Sequence, residues 1–79
     1  MTGSYKVVLK ASAKGELWNI PFPHRRRIVH RLVALQREPR PSGCEDLGKG
    51  RWRLREAQWS VLYKVDEAAR VVRVFRIGR

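Results

Sequence analysis

The last third of the chain alternates apolar and polar residues with a period of two. The alternation runs through Arg51–Arg55, Gln58–Tyr63 and Val71–Ile77. Because successive side chains of a β-strand point to opposite faces, each segment predicts a strand with one apolar face. Residues that favour turns separate the segments near Glu56–Gln58 and Asp66–Ala69. The pattern therefore predicts an antiparallel meander of three strands.

The first half of the chain predicts one strand and two helices. Tyr5–Leu9 is β-branched and aromatic, which is typical of a strand. Ser12 is placed to cap a short helix that ends near Trp18, before two prolines interrupt the chain. The next segment, His24–Arg37, follows a proline and predicts the longest helix. Its apolar stripe consists of Ile28, Leu32 and Leu35, widened by Val29 and Val33.

The predicted elements follow the order β-α-α-β-β-β. Helices that precede a run of strands indicate an α+β fold, here a small twisted, mainly antiparallel four-stranded sheet with two N-terminal helices on one face. The opposite face of the sheet is left to solvent. Glu38–Gly50 is rich in proline and glycine and predicts a loop. We find no internal repeat and expect residues 1–79 to form a single domain.

Basic residues lie on the polar side of the predicted strands. Arg51, Arg53 and Arg55 alternate with Trp52 and Leu54, so the arginines point away from the core. The whole chain has 18 Lys+Arg against 7 Asp+Glu, a formal net charge of +11. An ordinary solvated face, the alternative interpretation, mixes both signs of charge. The surplus therefore predicts an anionic partner, either nucleic acid or an acidic protein.

Several classes of protein are disfavoured by the sequence. No apolar run approaches the length that spans a bilayer, and the start of the chain lacks the basic and apolar regions of a signal peptide. Cys44 is the only cysteine, so an internal disulfide and a cysteine-based metal site are excluded. We expect a cytoplasmic protein with no membrane partner, no metal and no cofactor.

Five segments together resemble the RelE/ParE toxin superfamily. They occur in the family's order and spacing, and together with the β-α-α-β-β-β order they extend the resemblance over nearly the whole chain. The segments are Pro39-Arg40-Pro41, Leu47-Gly48-Lys49-Gly50, Trp52-Arg53-Leu54-Arg55, Trp59-Ser60-Val61-Leu62-Tyr63 and Arg76-Ile77-Gly78-Arg79. The resemblance implies a RelE-like fold and the toxin of a type II toxin–antitoxin system.

The resemblance implies a function for each branch of the superfamily. A RelE-like toxin is a ribosome-dependent endoribonuclease that cleaves mRNA in the ribosomal A site and is neutralised by an acidic, RelB-like antitoxin. A ParE-like toxin inhibits DNA gyrase and is not a nuclease. A small non-catalytic protein that binds RNA or the ribosome is the third interpretation, since it requires only positive charge and aromatic rings.

This sequence departs from the family pattern at two places. Ser60 stands where many members have arginine in the strand before the last. Many members also continue beyond the last strand, whereas this sequence stops at Arg79. Part of the usual basic constellation is therefore missing or is supplied by other residues.

Metal-independent RNA cleavage needs cations around the phosphorus, together with a base and an acid. Arginine binds phosphate bidentately and stays charged, so it suits the first role. His24 and His30 belong to the helical half, which leaves Lys49 and Lys64 as alternative proton acceptors. We expect catalytic roles for Arg53, Arg55, Lys64 and Arg79. We expect RNA binding by Lys49, Arg51, Arg76, Arg26 and His30.

The aromatic residues have two interpretations. Trp18, Trp52 and Trp59 are candidates for stacking on bases. Trp18 and Trp52 fall on apolar faces and are expected in the core, as is Tyr63, which alternates with Val61.

Overall fold

The computed structural model describes residues 4–79. Within that range two helices, α1 (Ala11–Trp18) and α2 (Phe22–Ala34), follow the first strand. The strands are β1 (Lys6–Leu9), β2 (Glu45–Gly48), β3 (Arg51–Glu56), β4 (Trp59–Asp66) and β5 (Val71–Gly78). Residues 1–3, on which the absence of a signal peptide was partly argued, lie outside the described residues.

The strands form one five-stranded sheet in the order β1-β5-β4-β3-β2. β1 pairs with β5 in parallel, and the other neighbours are antiparallel. The α+β class and the mainly antiparallel sheet are thus confirmed, but the prediction of four strands is wrong. The segment predicted as a loop, Glu38–Gly50, contains the additional strand β2.

Strand β2 owes its existence to the turn that follows it. Its sequence Glu-Asp-Leu-Gly has little strand propensity, and all four residues are exposed. The turn residues Lys49 and Gly50 have φ of 57° and 75°, the left-handed conformation that joins two tightly paired strands. Pairing along the edge of β3 therefore forms a strand that the local sequence does not predict.

The helices differ from the prediction at their ends. Ser12 does not cap α1, which begins at Ala11 without a side-chain cap. α2 begins at Phe22 with a proline in its first turn, and it ends at Ala34 rather than at Arg37. No helix within residues 4–79 has the length and apolar character needed to cross a membrane.

The core lies between the helices and one face of the sheet. Ile28, Leu32 and Leu35 are buried as predicted, and they belong to one cluster with the inward side chains of the central strands. That cluster also contains Leu54, Trp59, Val61, Tyr63, Val72, Val74 and Ile77. Tyr63 in the core is confirmed, and Trp52 is half-buried against the cluster.

Three apolar residues predicted to face the core are exposed. Val29 and Val33 are 38% and 56% exposed, because only one stripe of α2 contacts the sheet. Trp18, at the end of α1, is 66% exposed, and the Arg25 guanidinium lies 4.7 Å from its ring centroid. The prediction for Trp18 is wrong because α1 ends at this residue.

Strand β5 contains a bulge opposite β4. Leu62 pairs with Arg76, but the next residue of β4, Tyr63, pairs with Val74, so Phe75 is an extra residue. An extra residue reverses the alternation of the residues on either side of it. Arg73 and Arg76 are three positions apart, which in a regular strand places them on opposite faces, yet both are exposed.

Ala57 supplies a test of the β3–β4 turn. Its φ is 56°, in the left-handed region that a side chain with a Cβ disfavours. Ala57→Gly is therefore expected to raise the free energy of unfolding by about 0.5–1 kcal/mol. Urea unfolding measures the change. Ala68→Gly, in the next turn and without a positive φ, is the control and is expected to lower stability. A loss of stability in both variants contradicts the turn geometry.

Tyr63 supplies a test of the core. Its hydroxyl donates to the Pro39 carbonyl oxygen at 2.7 Å, and burial raises the pKa of Tyr63 above its ordinary value. Unfolded Tyr63 therefore loses its proton first, and stability decreases as the pH rises above about 10. Tyr63→Phe is expected to cost about 1–2 kcal/mol near neutral pH, because it leaves the carbonyl unpaired.

The same Tyr63→Phe variant is expected to show a shallower alkaline decrease in stability. Urea unfolding of both proteins at about pH 8 and about pH 11 measures this difference. Parallel decreases in the two proteins contradict the assignment of the alkaline transition to Tyr63.

Candidate functional site

The sheet face opposite the helices carries cations on its three central strands. The pairing of β3, β4 and β5 places six basic side chains on this face, which we call the basic face. They are Arg51, Arg53, Arg55, Lys64, Arg73 and Arg76. The inward neighbours Leu54 and Val61 are buried, so the alternation predicted for β3 and β4 is present, whereas β5 departs from it at the bulge.

The cations lie in rows that cross the strands. In one row Arg51 pairs with Lys64, which pairs with Arg73. Neighbouring strands lie about 4.8 Å apart, so three backbone positions bearing cations fall within about 10 Å. In the next row Arg53 pairs with Leu62, which pairs with Arg76. The rows place positive charge at a spacing suited to several phosphates of one chain.

One carboxylate on β2 neutralises part of the basic face. Arg53 donates from Nε to Glu45 Oε1 at 2.5 Å, and Arg55 Nε lies 3.7 Å from the same oxygen. The hydrogen bond from Arg53 holds the pKa of Glu45 below its ordinary value. Because these groups are largely exposed, the pairing is weak and a phosphate can replace the carboxylate. We call Glu45, Arg53 and Arg55 the Glu45 cluster.

The second part of the basic face is a hollow of about 470 Å³. Its lining combines four cations with an apolar floor, and we call it the Phe75 hollow. The lining residues are Val8, Lys10, Arg51, Lys64, Arg73, Val74 and Phe75. None of its cations forms a salt bridge within residues 4–79. These cations are therefore accessible to an anionic ligand.

Most of the residues predicted from the sequence come together. Five of them lie on the basic face: Arg51, Arg53, Arg55, Lys64 and Arg76. Lys49 is exposed in the β2–β3 turn, two residues before Arg51.

Arg79 lies apart from the basic face. Its guanidinium is 5.2 Å from the ring centroid of Trp59, a cation–π contact. Trp59 belongs to the buried cluster, and its ring is 6.0 Å from that of His24 on α2. The expected grouping of Arg79 with the other catalytic candidates is therefore not present, because the alternation of β5 directs it toward the helical side.

Arg26 and His30 also lie on the helical side. They line a shallow hollow on α2 with Phe22 and Glu56, separated from the basic face by the sheet. Arg31 of the same helix is 3.2 Å from Glu56 and donates to the Arg55 carbonyl oxygen at 3.1 Å. It links α2 to β3, which is a structural role.

Three residues of the Phe75 hollow were missed by the sequence reasoning: Lys10, Arg73 and Phe75. The spacing of three between Arg73 and Arg76 was the available signal, since both can face solvent only across a bulge. Lys10 carried no such signal. It reaches the hollow because β1 pairs in parallel with β5, and the Lys10 amide donates to the Val74 carbonyl oxygen at 2.8 Å.

The chemistry available on the basic face is that of anion binding. Arginine forks bind phosphate oxygens bidentately, and lysine contributes a compact charge. Both histidines, His24 and His30, belong to α2, and among the described residues the basic face carries one lysine, Lys64. Within residues 4–79 no group of three or more His, Cys, Asp or Glu is arranged to hold a metal ion.

Solved structures with the same fold include toxins of the RelE type. No protein-family model matches the chain, and no curated protein matches it in sequence. The RelBE2 toxin–antitoxin complex of Mycobacterium tuberculosis superimposes with a TM-score of 0.85 at 22% identity, covering 96% of this chain and 98% of that chain.

Two further solved structures share this fold. The archaeal RelE–RelB complex of Pyrococcus horikoshii gives a TM-score of 0.83 at 21% identity and covers 95% of this chain and 93% of that chain. The isolated RelE toxin of E. coli gives 0.86 at 19% identity, with coverage of 96% and 84%. At these identities the likeness establishes the fold, and the prediction of a RelE-like fold is confirmed.

The Glu45 cluster gives a direct test of the electrostatics. Glu45→Gln removes the carboxylate that competes for Arg53 and Arg55, so affinity for a short single-stranded oligonucleotide is expected to rise several-fold. Glu67→Gln is the matched control, because it changes the net charge equally while Glu67 binds Tyr5 and Arg40 instead. Fluorescence anisotropy at two salt concentrations measures both. Equal gains in the two variants show that net charge, and not the cluster, controls binding.

Proposed function

We propose that this chain is the toxin of a type II toxin–antitoxin pair, a ribosome-dependent endoribonuclease that cleaves mRNA. The observation that carries the proposal is the basic face, on which six cations converge on one open sheet surface. A single carboxylate of the described residues, Glu45, forms salt bridges with cations of this face. The shared fold of the RelE toxins supports the same function.

The proposed reaction is attack of a ribose 2′-oxygen on the adjacent phosphorus. The 2′-oxygen–phosphorus bond forms, the bond to the 5′-oxygen breaks, and a 2′,3′-cyclic phosphate and a 5′-hydroxyl result. One proton leaves the 2′-hydroxyl and one reaches the departing 5′-oxygen. The protein must therefore stabilise the negative charge of the phosphorane and assist proton transfer.

Each proposed role follows from the position of the residue. Arg53 and Arg55 exchange Glu45 for the scissile phosphate and stabilise the charge that develops on it. Lys64 is the proposed proton carrier: its amine accepts the proton of the 2′-hydroxyl, and the ammonium group so formed donates a proton to the departing 5′-oxygen. Arg51 and Arg76 bind flanking phosphates and position the message.

The ribosome has a specific part in this proposal. Ser60 stands between Arg55 and Gly78 in the strand pairing, so the position where the family pattern has arginine contributes no charge here. With fewer catalytic groups, a larger share of the rate depends on holding the message in the reactive conformation. Ribosomal RNA can supply this alignment. Because a toxin that acts on ribosomes must reach them, the proposed location of the protein is the cytoplasm.

The proposed antitoxin is an acidic, RelB-like protein. The structures with the same fold include complexes with RelB from M. tuberculosis, P. horikoshii and E. coli. Acidic side chains suit the basic face, and apolar side chains suit the exposed residues of the helices. Trp18, Val29 and Val33 are exposed apolar residues of the helical side that suit this contact.

A second candidate function is a non-catalytic protein that binds RNA or the ribosome. It is favoured by the location of both histidines on α2 and by the pairing of Arg53 and Arg55 with Glu45. Such a protein would need the basic face for affinity alone. A gyrase inhibitor of the ParE kind would leave mRNA intact and reduce DNA supercoiling.

Cleavage of mRNA on programmed ribosomes tests the proposal. The purified protein is expected to cut the message at codon-phased positions, mapped by primer extension. The double variant Arg53→Ala with Arg55→Ala is expected to lower the rate at least about 100-fold, because both cations act in the transition state. Lys14→Ala with Arg37→Ala, which removes two exposed cations of the helical side, is the control for net charge.

The outcomes separate the candidate functions. Phased cuts that are lost in the double variant and kept in the control support the nuclease. Intact message with inhibited supercoiling supports the gyrase inhibitor and contradicts the proposal. Intact message with tight ribosome binding supports the non-catalytic protein.

A further inference from the structure

The bulge in β5 gives the Phe75 hollow an aromatic floor. Because Phe75 is the extra residue between Val74 and Arg76, its ring is displaced from the core, and it is half-buried. Val8 of β1 pairs with Arg73, is 36% exposed and lines the same hollow. The aromatic and aliphatic side chains together give the hollow an apolar part on the outer face of the sheet.

Positive charge surrounds this apolar surface. Arg51, Lys64 and Arg73 form one cross-strand row, and Lys10 approaches from the end of β1. None of the four forms a salt bridge within the described residues, in contrast to Arg53 and Arg55 of the Glu45 cluster. The hollow therefore presents an apolar centre with a charged rim.

An apolar centre with a cationic rim matches the chemistry of a nucleotide. The flat face of a base stacks on an aromatic ring, and the phosphates on either side of its sugar contact basic side chains. A volume of about 470 Å³ is within the range of small-ligand sites and accommodates one base with its sugar. A base stacked inside a duplex cannot enter such a hollow, so the ligand must be single-stranded.

We propose that the Phe75 hollow binds one unpaired base of single-stranded RNA, stacked on Phe75, with the flanking phosphates on Lys10, Lys64 and Arg73. The hollow is then a binding subsite next to the Glu45 cluster, and it fixes the register of the RNA along the sheet. This assignment deepens the proposed function, because it specifies how the same face holds its substrate. Binding at the hollow is nevertheless measurable without cleavage.

An acidic peptide is the competing ligand for this hollow. Its carboxylates satisfy the same cations, but they do not use the aromatic floor. Dependence of binding on the ring therefore distinguishes a base from a carboxylate, and dependence on charge alone does not.

The test measures binding of an uncleavable RNA by the purified full chain. The probe is a short fluorescein-labelled 2′-O-methyl oligouridylate, compared with an abasic oligonucleotide of equal length and charge. Phe75→Leu is expected to weaken binding of the oligouridylate about tenfold and to leave binding of the abasic probe unchanged. Phe75→Tyr, which keeps the ring, is expected to restore the affinity. Arg73→Gln is expected to weaken binding of both probes, since it contacts phosphate.

Phe22→Leu is the matched control. Phe22 is 61% exposed on α2, so this variant removes an accessible ring from the opposite side of the molecule. It is expected to bind both probes as the unchanged protein does. Circular dichroism of each variant verifies that the fold is retained.

The results that overturn the assignment are distinct from a failure of the nuclease proposal. Equal effects of Phe75→Leu on both probes, no effect on either, or equal binding of a duplex shows that no base occupies the hollow. Competition by oligoglutamate that is as strong as competition by oligouridylate shows an acidic-peptide site instead. If Phe75→Leu weakens binding of the oligouridylate alone, and the protein does not cleave mRNA on ribosomes, the base-binding subsite is supported and only the catalytic proposal is rejected.

Discussion

The extra residue in β5 determines which side chains each face of the sheet presents. Without it, Val74 and Ile77 could not both reach the core, and Arg73 and Arg76 could not both reach solvent. The bulge lets one strand contribute two buried aliphatic residues and two outward arginines. It also displaces Phe75 onto the outer face. The composition of the basic face therefore depends on a local backbone irregularity as much as on the arginine content.

The same sheet combines a neutral core with a surface of like charges. No charged side chain is buried within residues 4–79, so the fold avoids the cost of desolvating ions. The cations of the outer face repel one another, which lowers stability until an anion binds. Glu45 relieves part of this repulsion at Arg53 and Arg55, whereas no carboxylate of residues 4–79 forms a salt bridge with the cations of the Phe75 hollow. Within the described residues, the cations of the Glu45 cluster are thus partly neutralised by a carboxylate, whereas those of the Phe75 hollow are not.

The sequence was sufficient for the features that rest on regular periodicity. Alternation in β3 and β4 identified the buried face and placed Arg51, Arg53 and Arg55 opposite it, and helical spacing identified Ile28, Leu32 and Leu35. The sequence was insufficient for the features in which tertiary contacts override the local preference for secondary structure. β2 forms because the β2–β3 turn brings it to the edge of β3, and Trp18 is exposed at the end of α1.

The sequence predicted only part of the candidate site, because the rest of the site also depends on tertiary strand pairing. Outward residues on regular strands were found, but Lys10 and Phe75 required the parallel pairing of β1 and the bulge of β5. Arg79 lies on the helical side, and not with the other catalytic candidates, because the bulge shifts the alternation before the end of β5. The residues missed are those whose position depends on how strands meet rather than on what each strand contains.

We propose that the outer face of the sheet, and not the helical side, engages RNA. Titration of the ¹⁵N-labelled protein with an uncleavable single-stranded RNA, followed by NMR, tests it most directly. We expect the largest changes in amide chemical shift on β3, β4 and β5 around Arg51, Lys64 and Arg73. Shifts concentrated on α2 around Arg26 and His30, with the sheet unaffected, would contradict it.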